Sequence, residues 1–72
     1  MKADERRAAE AVTVIAFRNF GVSAFRVDPR GKHWNPLRAA EQLGLAWWPG
    51  RDRCALTPRG AELAAEYRGE GE

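Results

Sequence analysis

A single cysteine and a single histidine in 72 residues narrow the chemistry open to this chain. Cys54 alone cannot build a disulfide framework, which points to a reducing, cytoplasmic setting. His33 and Cys54 together cannot supply the four soft or imidazole ligands of a structural zinc site. A Cys-His catalytic pair would also need an oxyanion hole that no segment announces. The chain has no glycine-rich phosphate loop and no convincing acid/base pair of carboxylates. The sequence therefore predicts no cofactor, no metal and no enzyme. Long apolar runs are missing too. The opening Met1-Lys2-Ala3-Asp4-Glu5-Arg6-Arg7 is charged, so neither a signal peptide nor a membrane span is expected.

What is present suits one small domain spanning residues 1–72. The apolar fraction of 44% is ordinary for a globular chain. A chain this short buries only about 60% of its unfolded surface, so its stability should be marginal. Dimerisation or a partner would add burial. The net charge of +2 hides an uneven distribution. Residues 18–59 hold eight cations against three carboxylates, for +5, whereas residues 60–72 hold one against four, for −3. A basic middle with an acidic tail fits either a polyanion-binding face or an arginine-rich solvated surface.

Residues 4–20 read as a helix capped by Asp4 and stopped by Gly21, with Ala8, Val12, Ile15, Ala16 and Phe20 at helical spacing. The β-branched run Val12-Thr13-Val14-Ile15 leaves a strand open there, but no turn signal divides the segment. Residues 22–28 alternate as a short strand, and Pro29-Arg30-Gly31-Lys32 follows as a turn. Asn35-Pro36 predicts an N-cap and first turn for a helix over 36–43. On that helix Leu37, Ala40 and Leu43 share one face, Arg38, Glu41 and Gln42 point outward, and Gly44 is the stop. Leu45-Ala46-Trp47-Trp48 and Arg53-Cys54-Ala55-Leu56 flank Pro49-Gly50-Arg51-Asp52 as a hairpin. Thr57-Pro58 opens a last helix that buries Gly60, Leu63, Ala64 and Tyr67 and turns Glu62 and Glu66 away. Residues 69–72 are expected to fray. The fold class is α+β, ordered helix–strand–helix–β-hairpin–helix.

Leu43-Gly44-Leu45, Asp52-Arg53, Leu56-Thr57 and Gly60 resemble the wing and following helix of MarR-type winged-helix regulators, over residues 43–67. The resemblance implies a small winged-helix-like protein binding double-stranded DNA, as a transcriptional regulator or accessory factor. It makes Arg51 and Arg53 groove and phosphate contacts, with Asp52 orienting an arginine. A narrow minor groove attracts guanidinium through its negative potential. Arg38 and Gln42 would face base edges, where arginine reads guanine and glutamine adenine. Arg30, Lys32 and Arg59 would be phosphate contacts that set affinity without specifying sequence.

A second reading, a protein-interaction module docking a larger partner, draws on the tryptophans. Neighbouring residues on a strand face opposite ways, so only one of Trp47 and Trp48 enters the core easily. Packing of both in a small two-sided core is the favoured expectation. Exposure of one would make Trp34, Trp47 and Trp48 candidate anchors for a partner. Residues 22–34 leave little room for a helix before the recognition helix, which also motivates this reading. A homodimer is possible under either. Cys54 is expected to be a small buried residue, and His33 a surface or turn residue.

Overall fold

A computed structural model describes residues 1–67; the expected fraying of 69–72 lies outside them. Three helices and a three-stranded antiparallel sheet follow the order α1 (Ala3–Phe20), β1 (Phe25–Arg26), α2 (Trp34–Gln42), β2 (Ala46–Gly50), β3 (Arg53–Leu56) and α3 (Pro58–Tyr67). The α+β class and the element order agree with the sequence reading. No helix among the described residues is long and apolar enough to cross a membrane.

The β-branched run of α1 is helical because its one polar member is satisfied in place. Thr13 is fully buried, and its hydroxyl donates to the carbonyl of Ala9 at 2.7 Å. The helix starts one residue before the expected cap: Lys2 is the N-cap residue, and its backbone N–H donates to the Glu5 carboxylate at 3.1 Å. Gly21 ends it, as expected. The buried stripe is rotated from the expected one. Ala9, Thr13, Val14 and Ala16 are buried, whereas Ala8, Ile15 and Phe20 are exposed.

Of the expected strand over 22–28, only Phe25–Arg26 forms ladder pairs. Phe25 is buried and stacks on Phe20 at 4.5 Å between ring centroids. The loop after it closes as a turn: Asp28 accepts from the Arg30 N–H through its side chain at 3.0 Å and from Gly31 through its carbonyl at 2.9 Å. Asn35 is not the cap of α2. The helix begins at Trp34 with His33 as the N-cap residue, and the His33 carbonyl accepts from Leu37 at 3.1 Å. Leu37 and Ala40 are buried, as the spacing predicts.

Gly44, at φ 76°, turns the chain out of α2 in a conformation that side chains with a Cβ resist. Thr57 then joins both ends of the ribbon. Its hydroxyl donates to the Gly44 carbonyl at 2.6 Å and accepts from the Gly60 N–H at 3.1 Å, capping α3. The sheet order is β1-β3-β2, so β3 is central. Phe25, Cys54, Ala46 and Leu56 join Leu37, Ala40 and Ala9 in the main core. That core lies between the helices and the inner sheet face.

Candidate nucleic-acid interface

The hairpin is tighter than expected. Pro49 and Gly50 belong to β2, which bulges between Trp47 and Gly50, leaving Arg51 and Asp52 as the turn. Both turn residues are tied down through their carbonyls. Arg38 donates from Nη2 to the Arg51 carbonyl at 3.1 Å, and the Val27 N–H donates to the Asp52 carbonyl at 2.7 Å. Asp52 also accepts from Arg26 Nε at 3.1 Å, so it does orient an arginine, and the arginine is Arg26.

With the backbone held, the Arg51 and Arg53 side chains are exposed. Neither makes a side-chain hydrogen bond or ion pair to another described residue. Arg53 stands directly across the ladder from Arg26, whose side chain is 85% exposed. Like charges directly opposite on neighbouring strands repel. Asp52 offsets part of that repulsion, but an arginine remains unpaired. Sequence reading passed over Arg26; its place between inward Phe25 and Val27 was the available signal for an outward side chain.

Arg38 departs from its expected outward placement. Its guanidinium carbon lies 3.9 Å from the Trp48 ring centroid and 4.7 Å from that of Trp34. The two indoles meet edge to face at 5.1 Å, and Glu41 stands 3.8 Å from Arg38 Nη1. The side chain thus braces the hairpin against α2 instead of projecting from it. Trp34 and Trp48 are half-buried in this arrangement, whereas Trp47 is 51% exposed. The expectation that both neighbouring tryptophans pack is therefore corrected: strand alternation sends Trp47 to the solvent side.

The remaining candidates are dispersed. Gln42 and Arg59 line a separate hollow of about 510 Å³ with Arg6, Glu10, Glu62 and Glu66, where carboxylates outnumber cations. Lys32 lies beside Arg26 and His33 on a groove of about 410 Å³ floored by Val12, Ala16 and Leu37. Arg30 is exposed on the Asp28 turn. No three metal-ligating side chains cluster among the described residues.

Cys54 is fully buried behind the hairpin. Burial pushes its thiol up from 9.0 to about 11, with nearby Arg38 opposing part of the rise. A folded pKa above the unfolded one contributes stability that is complete below about 9 and is lost as pH rises through about 11. Wild type should therefore lose stability relative to Cys54→Ala across that window. Urea midpoints measured at pH 8, 9, 10 and 11 check this, and a constant difference between the two proteins would refute it.

Comparison with protein-family models, curated proteins and solved structures finds no match to this chain.

Proposed function

We propose that this chain is a winged-helix-like, non-catalytic module that docks on double-stranded DNA through the tip of the β2–β3 hairpin. The observation that carries the reading is the pair of exposed, unpartnered guanidiniums of Arg51, on a turn whose backbone is fixed at Arg51 and Asp52, and of Arg53, the first residue of β3. A fixed turn loses little freedom on docking, so its cations meet phosphates at low entropic cost. Arg30, Lys32 and Arg59 are exposed elsewhere on the surface and would add phosphate contacts that raise affinity without selecting bases. Gln42 is exposed on α2 and would meet a base edge. The helix–strand–helix–hairpin–helix order supports the winged-helix reading, and a regulatory or accessory role in transcription in the cytoplasm follows from it.

The test is a titration of labelled random duplex at about 50 and about 200 mM salt, where phosphate contacts dominate affinity. Arg51→Ala with Arg53→Ala should weaken binding at least tenfold at low salt. It should also flatten the log–log salt slope by about 1.8, or about 0.9 for each phosphate no longer neutralised. Duplex affinity unchanged in the double variant would end this reading.

A second reading, docking on a larger protein or a second copy of the chain, is favoured by exposed apolar side chains. Ile15, Phe20 and Val22 are 43%, 48% and 61% exposed on α1 and the loop after it. Scattered apolar exposure is ordinary on small domains, which keeps this reading second.

A further inference from the structure

We propose that the outer face of the sheet binds an unpaired DNA strand, with a base stacked on Trp47 and phosphates held by Arg53 and Arg26. This surface shares Arg53 with the duplex contact at the hairpin tip, whereas Trp47 and Arg26 lie outside that contact; its choice of DNA rests on the duplex reading.

Register places the three side chains together. Arg26 is directly opposite Arg53, and Trp47 is directly opposite Ala55, two residues along β3 from Arg53. Directly opposed residues and residues two apart share a sheet face, with diagonal neighbours within reach of an aromatic side chain. The other face is the one buried against the helices through Phe25, Cys54, Ala46 and Leu56. The β2 bulge keeps Gly50 on the outer face beside Arg53, since a Cβ built on Gly50 would lie 3.5 Å from that of Arg53. Gly50 adds no side chain of its own there, and the Arg53 stem lies across it. Ala55, opposite Trp47, is buried, so the exposed groups on this face are the Trp47 ring and the arginines Arg53 and Arg26.

Charge and shape choose the occupant. Arg53, without an internal partner, stands beside Arg26, whose Nε is held by Asp52, so two cations face one carboxylate and the cluster keeps a net positive charge for an anion. A half-exposed indole on the same face offers a flat π-surface. Cations that follow a backbone together with an aromatic that stacks a base are the recurring elements of single-strand recognition. A duplex keeps its base faces stacked inside and cannot use Trp47 in this way. A phosphate backbone and a stacked base are common to both nucleic acids, so the strand is committed to DNA on the duplex reading above, and oligouridine is the arm that tests the choice.

The experiment compares a labelled oligodeoxythymidine of roughly twelve nucleotides, within the span small single-strand-binding folds cover, with duplex and with oligouridine of equal length. Trp47→Ala should weaken the single DNA strand about tenfold or more, in the range found for loss of one base–aromatic stack, and leave duplex binding within twofold. Trp47→Phe keeps a ring and should stay within threefold of wild type. Melting temperatures of both variants should match wild type, because the side chain is half in solvent. The proposal is overturned if single strand fails to bind while duplex binds, if Trp47→Ala leaves single-strand affinity unchanged, or if phenylalanine fares no better than alanine. Oligouridine binding tighter than oligodeoxythymidine overturns the DNA assignment. Single-strand binding without duplex binding supports this proposal and rejects duplex docking, so the two failures are told apart.

Discussion

Replacing Gly60 with alanine is expected to lower the unfolding free energy by about 3 kcal/mol or more, at the upper end of the cost of overpacking. An alanine Cβ at that position would sit 2.1 Å from the Leu45 carbonyl oxygen and 3.1 Å from its carbon. The obstacle is backbone, which cannot swing aside as a long side chain does. That carbonyl already accepts from the Thr57 N–H at 3.1 Å, and the Leu45 N–H donates to Ala40 at 2.9 Å. To admit a methyl group, α3 must lift from the ribbon, and the Thr57 hydroxyl loses its grip on Gly44 and Gly60. A chain of this length holds on the order of 4–10 kcal/mol in total, so the variant should be partly unfolded at 37 °C. Gly50→Ala is the control, because the nearest atoms its Cβ would meet are those of the Arg53 side chain, at ordinary contact distances from 3.5 Å. Denaturant midpoints decide the matter. A Gly60→Ala protein within about 1 kcal/mol of wild type, inside the ordinary mutational range, would mean that α3 does not seat so closely on Leu45.

Truncating Arg38 to alanine has the second-largest expected effect, a loss of about 2 kcal/mol. Stacking on two half-buried indoles accounts for about 1 kcal/mol, and the bond to the Arg51 carbonyl for about another 1 kcal/mol. The contact to Glu41 is half-exposed at 3.8 Å and adds little. The functional consequence exceeds the stability cost. Without Arg38 the turn loses its tether to α2, so Arg51 and Arg53 should bind duplex more weakly although both remain. Arg38→Lys keeps the charge but loses the planar group that lies against both rings, and should recover less than half of the stability. Denaturation followed by tryptophan fluorescence, together with duplex titration, checks both effects. An Arg38→Ala protein with wild-type stability and wild-type affinity would remove the bracing role.

Local signals carried the order of elements well and the side-chain environments less well. Gly21, Gly44 and Thr57-Pro58 mark boundaries through the backbone conformation or capping bond each residue type favours, and all three are where the chain turns. The alanine-rich start of α1 outweighed its β-branched run because Thr13 could bond one turn back, an outcome visible in the residue type. The strand over 22–28 shrank to two residues because only Phe25 and Arg26 find partners on β3, and pairing is not written in either segment alone. Asn35-Pro36 misplaced the start of α2 for a related reason. Trp34 joins the helix through its contacts with Arg38, one turn on, and with Trp48, which is distant in the chain. The same three-residue cluster turned Arg38 from the expected open surface into a brace. Arg51 was legible as exposed because a turn of polar or small residues has nowhere to bury it, and Arg53 because strand alternation sets it on the face opposite to inward Cys54. Arg26 became part of the surface only through the β1–β3 register.

Both margins of the sheet are poor templates for a further strand. One margin is β1, with a single pair of residues in the ladder, and the other is β2, interrupted by its bulge and by Pro49, which has no N–H to donate. An incoming chain would find too few aligned donors and acceptors to zip onto either side. The protein is thereby guarded against runaway fibre growth even when it is crowded at high concentration.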